Sequence, residues 1–378
     1  MPPPPRNPFR PTFGVSPTVM AGRTSLLDAF ALGLAEGPGS PYRALIISGA
    51  RGVGKTVLLN ELEDTALSQG WAHLRAYPGE DMIDTLVDTS VPELLDTLDS
   101  PTPRRMVTGA SLAGIGSVTT TPDPAHRRAT PTLITRLRDV ARQLAPHGTG
   151  VFITLDELQS ASPEHLHILA TAVQDLMRDN HDIAFVAAGL PAGVDDLLQQ
   201  EGTTFLRRAH RVDLASIDPA EAQRLFHETA LAGSREMTPG AVAEAVSLSH
   251  GYPYLMQVLG SMTWARATLD GADTLTADHV RSVRDQAIER MGLQIHAPSF
   301  RGVPDQQMRL LQALAELAPD GAPVRTGEIA QHLGVAPNAI SMAREALLRR
   351  SLVTVPAYGH LQFSLPYAAD HLLRNPQL

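Results

Sequence analysis

The sequence predicts an α/β protein in which a parallel sheet flanked by helices is followed by a helical segment and a winged helix-turn-helix. Three observations predict this architecture. A glycine-rich loop with the pattern G-x-x-x-x-G-K-T, residues 49–56, stands between a strand pattern and a helix pattern. Apolar strand patterns and helix patterns then alternate as far as residue 215, which favours a parallel sheet. After Asp218-Pro219 the pattern becomes purely helical.

The composition is that of an ordinary globular chain without cysteine. The 378 residues are 43% hydrophobic and 19% charged, enough for two or three domains. Without cysteine, disulfides, thiol catalysis and cysteine-ligated metals are excluded. The sequence shows neither a membrane-length apolar run nor a signal peptide, so we expect a cytoplasmic protein with no membrane partner. With a net charge of −9, any nucleic-acid site would have to be a local patch.

The glycine-rich loop contains the only lysine of the chain, Lys55, against thirty arginines. A compact ammonium fits inside a loop that wraps a phosphate, whereas a guanidinium fork does not. A compositional bias towards arginine would explain the thirty arginines. It would not explain why the single lysine stands in this loop. The loop therefore predicts a phosphate-binding P-loop for ATP, with Lys55 on the β- and γ-phosphates. The predicted nucleotide-binding residues of the loop are Gly49, Ala50, Arg51, Gly52, Val53, Gly54, Lys55, Thr56 and Val57.

A second motif follows the apolar strand pattern at 151–155, which ends in Asp156 and Glu157. Carboxyl ends of parallel strands meet at one edge of the sheet. Asp156 would there share Mg²⁺ with the hydroxyl of Thr56, and Glu157 would polarise the attacking water. The alternative is that both acids cap the next helix, although the Ser-Pro pair that follows already starts it well. Gln159 either orients water or is simply solvated.

Two adjacent arginines, Arg207 and Arg208, lie just before or within the last strand predicted for the sheet. An arginine that reaches the γ-phosphate, in cis or from a neighbouring subunit, accelerates phosphoryl transfer. The alternative is that these two arginines form salt bridges at the edge of the strand. Both interpretations stay open, as does the choice between the two arginines.

Taken together, the motifs resemble those of the AAA+/STAND group of P-loop ATPases. The motifs are the G-K-T loop, Leu155-Asp156-Glu157-Leu158-Gln159, Gly251-Tyr252-Pro253 and the winged-helix pattern. Within this group the chain is similar to archaeal-type and origin-recognition-like ATPases. The resemblance implies a P-loop NTPase parallel sheet of the AAA+/ASCE type, a helical lid and a carboxy-terminal winged helix. It also implies a hydrolase that requires ATP and Mg²⁺.

Two further elements acquire roles through the resemblance. Ala21-Gly22-Arg23 matches the box before the first strand, so Arg23 would lie at the adenine end of the site. Phe9, Phe13, Gly14 and Pro17 would line the same end. Gly251-Tyr252-Pro253 matches the element that replaces the sensor 2 arginine. Pro253 would start a lid helix whose positive end faces the nucleotide.

One strand departs from the family pattern. The strand ending Ala187-Ala188-Gly189 has no polar residue at the place of sensor 1. The attacking water then lacks one positioning group, so we expect slow hydrolysis, which suits a switch better than a motor.

The predicted organisation has four parts. They are an extended or disordered tail at 1–15, the ATPase core at 16–215 with an insertion at 100–132, the lid at 216–297 and the winged helix at 298–378. The insertion, rich in proline, glycine, serine and threonine, is either a connector or a contact surface.

Two functions remain in competition. In the first, the chain is an ATP-dependent switch whose state a protein partner reads, with self-association possible through the arginine finger. In the second, it is a DNA-binding initiator-like ATPase that uses its winged helix on duplex DNA. Residues 300–378 carry seven arginines and six acidic residues, few charges for phosphates. A P-loop kinase would leave the helical tail unexplained.

Overall fold

The structure is a computed structural model that describes residues 6–12, 14–99, 131–199 and 204–376. The insertion predicted at 100–132, apart from its last two residues, and Phe13 lie outside these ranges. Among the described helices, none is long and apolar enough to cross a membrane.

A parallel sheet lies at the centre of the chain. Its strands are β1 (Ala44–Gly49), β2 (Ala72–Ala76), β3 (Val151–Leu155), β4 (Ile183–Gly189) and β5 (His210–Leu214). They lie in the order β2-β3-β4-β1-β5, and every adjacent pair is parallel. β1, β3 and β4 are almost wholly buried, as apolar runs predict for strands covered on both faces. At the carboxyl edge, the end of β4 therefore lies between the ends of β1 and β3.

Helices cover both faces of this sheet. They are α1 (Thr24–Glu36), α2 (Lys55–Ser68), α3 (Met82–Thr85), α4 (Val91–Asp99), α5 (Leu133–Leu144), α6 (Pro163–Arg178) and α7 (Pro191–Gln199). α1 and α2 share an apolar cluster with Ile47, whereas α5 and α6 pack around Ile46. Adjacent strand residues point to opposite faces, which is why one strand serves both clusters. A π-type turn, Leu86–Ser90, lies between α3 and α4.

A helical unit, called the lid below, follows the sheet. It consists of α8 (Pro219–Ala232), β6 (Glu236–Met237), α9 (Pro239–Ser249), α10 (Pro253–Leu269), β7 (Thr274–Leu275) and α11 (Ala277–Met291). Side chains of Asp218, Thr238 and Thr276 cap three of the helices by accepting backbone N–H bonds. The amino-terminal segment packs on this unit, because Phe9 joins its apolar cluster and is 3% exposed.

The segment after α11 remains helical. α11 continues through a π-type turn, Gly292–His296, into α12 (Ala297–Phe300). In this turn the amide of Ala297 donates to the carbonyl of Gly292, five residues back. Pro298 follows directly, in the first turn of α12, where a missing N–H costs a helix little. Helical structure therefore runs across the predicted boundary at 297.

The carboxy-terminal unit contains α13 (Asp305–Leu317), β8 (Val324–Arg325), α14 (Thr326–His332), α15 (Ser341–Arg349), β9 (Val353–Thr354), β10 (His360–Phe363) and α16 (Ala368–Arg374). Its strands form an antiparallel sheet in the order β8-β10-β9. A 3-10 turn, Pro337–Ile340, directly precedes α15. The apolar cluster of this unit is continuous with that of α1, α2 and α10, so the carboxy-terminal unit packs onto the rest of the chain.

Candidate nucleotide-binding site

The glycine-rich loop connects β1 to α2 and depends on two glycines. Gly54, directly before α2, has φ 95°, and Gly52 has φ 73°. Glycine adopts this left-handed region without the steric penalty of a β-carbon. Gly52 also touches the lid, since a β-carbon there would lie 2.1 Å from the hydroxyl oxygen of Tyr252. The loop leaves the amide groups at the start of α2 available to an anion.

Lys55 is buried within the loop. Its Nζ donates hydrogen bonds of 3.0 Å to the carbonyl oxygens of Gly49 and Ala50, and the residue is 6% exposed. Burial lowers the pKa of the ammonium, and the nearby carboxylates of Glu157 and Asp156 oppose this effect. The charge is thus held inside the loop by weak carbonyl acceptors, which a phosphate oxygen can replace.

Thr56 and Asp156 form a pair of oxygen donors at the carboxyl edge of the sheet. The hydroxyl of Thr56 donates to Oδ2 of Asp156 at 2.5 Å, while Oδ1 of Asp156 accepts from the amide of Glu157 at 2.8 Å. Among the described residues there is no cluster of three or more histidine or acidic side chains that could hold a metal. Two protein oxygens fit Mg²⁺, which keeps several waters and takes its other ligands from phosphates.

Glu157 has an unusual backbone conformation for its residue type. Its φ is 49°, in the left-handed region that only a small fraction of non-glycine residues adopts. The conformation turns its exposed side chain towards the cavity described next. Its Oε2 accepts a hydrogen bond from Nε2 of Gln159.

A cavity of about 280 Å³ extends from the loop to the lid and the amino-terminal segment. Residues 51–58 of the loop and α2 form one wall, and Pro253 and Tyr254 of α10 face them. Apolar side chains, among them Ile217 and Leu225, line the cavity together with Arg23. Charged groups and backbone amides together with apolar side chains are what a nucleotide requires of its site.

Most of the predicted site residues therefore lie together. Arg23, Glu157 and Pro253 line the same cavity as Arg51, Gly52, Val53, Gly54, Lys55, Thr56 and Val57, and Gly49 and Ala50 supply the carbonyls that hold Lys55. Gly14 and Pro17 line the cavity as well.

The predicted adenine contact of Phe9 is wrong. Its ring is buried in the lid against Gly260 of α10. A β-carbon added to Gly260 would lie 2.2 Å from the ring of Phe9. The absence of a side chain at Gly260 creates the space that the ring fills, so Phe9 anchors the amino-terminal segment to α10.

Arg207 and Arg208 lie away from the cavity of their own chain. Both are exposed, and neither is among the described residues that line it. Arg207 donates from Nε to the carbonyl of Leu198 at 2.6 Å. These positions give no support to an arginine finger in cis.

Sequence reasoning missed a buried ionic cluster beside Thr56 and Asp156. Glu63 of α2 is 4% exposed and accepts hydrogen bonds from Arg75 and from Thr154 at 2.7 Å, with His73 at 3.2 Å. Burial alone would raise the pKa of Glu63, but the hydrogen bonds from His73 and Arg75 outweigh it and lower the pKa to about 2. A second cavity, of about 140 Å³, joins this cluster to Asp156. The signal in the sequence is an acid on the apolar face of α2.

Comparison with known proteins agrees with this geometry. Residues 20–186 match the family described as AAA ATPase domain, and residues 293–372 match a domain of unknown function (DUF8462). No curated protein matches the sequence.

Two solved structures are similar over nearly the whole chain. Aeropyrum pernix ORC2, solved as ADPNP–ADP complexes, has a TM-score of 0.63 and 17% identity, covering 96% of this chain and 95% of that one. The Walker-type ATPase of Pyrococcus abyssi has a TM-score of 0.64 and 15% identity, covering 94% and 96%. Residues 20–186 thus form an AAA ATPase domain with a P-loop, and the fold of the chain as a whole is similar to that of the Aeropyrum pernix ORC2 protein, as the motifs predicted.

Proposed function

We propose that the protein is a nucleotide-dependent switch that binds ATP with Mg²⁺, hydrolyses it slowly and thereby changes the packing of its lid and carboxy-terminal unit. The composition of the cavity wall carries this proposal. Thr56 of α2, Pro253 of the lid and Ile295 of the π-type turn all line one space. A ligand there contacts all three parts, so its binding free energy depends on how they are packed.

The side chains of the cavity fit a nucleoside triphosphate. The amides at the start of α2 would receive the phosphates, and Lys55 would exchange its carbonyl acceptors for β- and γ-phosphate oxygens. Thr56 and Asp156 would hold Mg²⁺, which supplies charge neutralisation at the phosphates when bound. Glu157 would accept a proton from the attacking water. Arg23 would lie at the base end.

Two observations support slow turnover: the residue types at the end of β4 and the positions of Arg207 and Arg208. Ala188 and Gly189 offer no polar side chain to the γ-phosphate. Arg207 and Arg208 do not line their own cavity, so a finger would have to come from a second copy of the chain. The proposal therefore includes self-association, and turnover per chain should rise with protein concentration.

The lid and the carboxy-terminal unit are in direct contact. The hydroxyl of Tyr367 donates to the carbonyl of Leu248 at 2.9 Å, and the ring of His371 lies 5.4 Å from that of His296 in the π-type turn. A lid that moves on nucleotide exchange would move this unit with it, which is the behaviour that the STAND resemblance implies. A protein partner would read the resulting surface.

The arginines at the carboxyl end of α15 and directly after it favour a protein partner over duplex DNA. Arg349 pairs with Glu345 at 3.2 Å, and Arg350 donates to the carbonyl of Gly302. Met342, on the same helix, is 82% exposed. DNA affinity depends on the cations that reach phosphates, and these two are already engaged. The DNA-binding initiator is therefore the second candidate.

Titration with ATP and ADP in the presence of Mg²⁺ tests the switch. We expect binding of both, loss of binding in Lys55→Ala, and binding without turnover in Glu157→Gln. A fluorophore pair on α8 and α16 should report different distances for Glu157→Gln with ATP and for the wild type with ADP. Equal distances in both states would overturn the switch, and absence of ATP binding would overturn the site.

A salt titration with duplex DNA separates the two candidates. We expect no binding at low ionic strength, where phosphate contacts are strongest. Binding that weakens steeply as salt is added would favour the initiator instead.

A further inference from the structure

The carboxyl end of β4 is the part of the site with the fewest polar side chains of its own. Gly189 ends this strand between β1, which leads to the phosphate loop, and β3, which leads to Asp156 and Glu157. A polar group at this point would face both the phosphates and the attacking water. The strand itself supplies only backbone there.

The side chain of Gln159 lies at this end of β4. Its Oε1 accepts a hydrogen bond of 3.0 Å from the amide of Leu190, the first residue after the strand. Its Nε2 donates to Oε2 of Glu157. One amide group thus connects the end of β4 to the acidic side chain that faces the cavity.

The amide of Leu190 fixes which way the Gln159 amide points. A backbone N–H can only donate, so the atom of Gln159 that faces it must be the oxygen. The nitrogen then faces Glu157 and donates to its carboxylate. The hydrogen-bond pattern, rather than the shape of the side chain, therefore sets this orientation.

Two glycines make room for Gln159. A β-carbon at Gly193 would lie 2.4 Å from Cβ of Gln159, and one at Gly189 would lie 3.0 Å from its Oε1. A side chain at position 193 would push Gln159 away, and one at position 189 would contact its Oε1 tightly. The glutamine occupies a fitted position, although it is exposed to solvent.

We propose that Gln159 is the positioning residue for Glu157 and supplies, from the loop after β3, the polar group that β4 lacks. By donating to Oε2, it holds one carboxylate oxygen and leaves the other to accept the proton of the attacking water. Because the donor is a neutral amide, it orients Glu157 without pairing its charge. The inference rests on the proposed role of Glu157 as the base.

Two substitutions at Gln159 separate the donor from the acceptor. Gln159→Ala removes both hydrogen bonds, whereas Gln159→Glu keeps an acceptor for Leu190 and places a carboxylate against Glu157. We expect both to lower kcat about ten-fold or more, because misplacement of a reacting group by about 1 Å can cost on the order of 100-fold. The Kd values for ATP and ADP should stay within two-fold. Ser160→Ala, at an exposed neighbour, is the control.

Glu157→Gln distinguishes failure of this inference from failure of the proposed function. If Glu157→Gln stops turnover while both Gln159 variants keep the wild-type kcat, Gln159 has no positioning role and the function stands. If Glu157→Gln turns over normally, the base assignment fails, and with it the inference. A Gln159→Ala variant whose Kd rises while kcat is kept would show a merely structural role.

Discussion

The hydroxyl of Tyr252 donates a hydrogen bond of 2.5 Å to the carbonyl oxygen of Arg51, which joins the start of α10 to the phosphate loop. Tyr252 is 2% exposed, and burial raises the pKa of its phenol, so it remains a neutral donor. The amide of Tyr254 donates to the carbonyl of Gly52 at 3.3 Å. The lid and the loop that would bind phosphate are therefore linked directly.

Tyr252→Phe should weaken ATP binding about five-fold. The substitution keeps the buried ring and removes one hydrogen bond, whose net contribution is typically about 1 kcal/mol. Isothermal titration with ATP and Mg²⁺ measures the change. Tyr358→Phe, at a fully exposed ring, is the matched control and should bind as the wild type does. An unchanged affinity in Tyr252→Phe would mean that the lid contact does not support the loop.

Gly52→Ala should abolish most ATP binding and lower the free energy of unfolding by about 1 to 3 kcal/mol. The new β-carbon meets both an unfavourable φ and the hydroxyl of Tyr252. Gly271→Ala separates these causes, because Gly271 has φ 68° but no described atom lies within 4 Å of the place that a β-carbon would take there. We expect Gly271→Ala to lower stability alone. Urea unfolding and ATP titration measure the two effects, and equal losses of binding in both variants would contradict the steric argument.

The elements nearest the site could be predicted because their signals are local. The start of α6 was predicted from its Ser-Pro pair, since the side chain of Ser162 caps the helix and Pro163 is its first residue. The phosphate loop and the Asp156-Glu157 pair also follow from short runs of residues. The sheet order then brings these two segments together, as expected for parallel strands.

Two kinds of feature could not be predicted. The start of α1 carries no local signal, because this helix has no side-chain cap and no acidic residue in its first turn. Other features depend on contacts between residues that are distant in the sequence. Phe9 is buried because Gly260, about 250 residues later, leaves space for its ring. The same holds for Gln159, whose role depends on Gly193 and the amide of Leu190. Sequence spacing shows neither contact.

Glu63 should make the protein sensitive to acid. Its pKa is about 2 in the folded state, against an ordinary value of 4.5. The unfolded chain therefore binds the proton more tightly, and the stabilisation is present above about pH 4.5 and is lost as pH falls towards 2. The difference corresponds to roughly 3 kcal/mol.

Glu63→Gln tests this contribution by urea unfolding at several pH values. We expect a less stable protein at neutral pH, with a smaller further loss between pH 4.5 and 2 than in the wild type. Glu164→Gln, at an exposed position, should leave the acid profile unchanged. An identical profile in Glu63→Gln and the wild type would show that another carboxylate governs the acid transition.

His296 should weaken the junction between the lid and the carboxy-terminal unit as pH falls. It is fully buried in the π-type turn, beside His371 of α16. Burial, with a smaller contribution from His371, lowers its pKa to about 3. The folded state keeps the ring neutral while the unfolded chain protonates it near pH 6.5, so the free energy of unfolding should fall by up to about 1.4 kcal/mol per pH unit below 6.5.

His296→Leu removes this titration and should flatten the decline of the free energy of unfolding, whereas His147→Gln, at an exposed site, should leave the decline unchanged. Thermal unfolding between pH 7.5 and 5 measures the slopes, and parallel slopes for His296→Leu and the wild type would rule His296 out as their source.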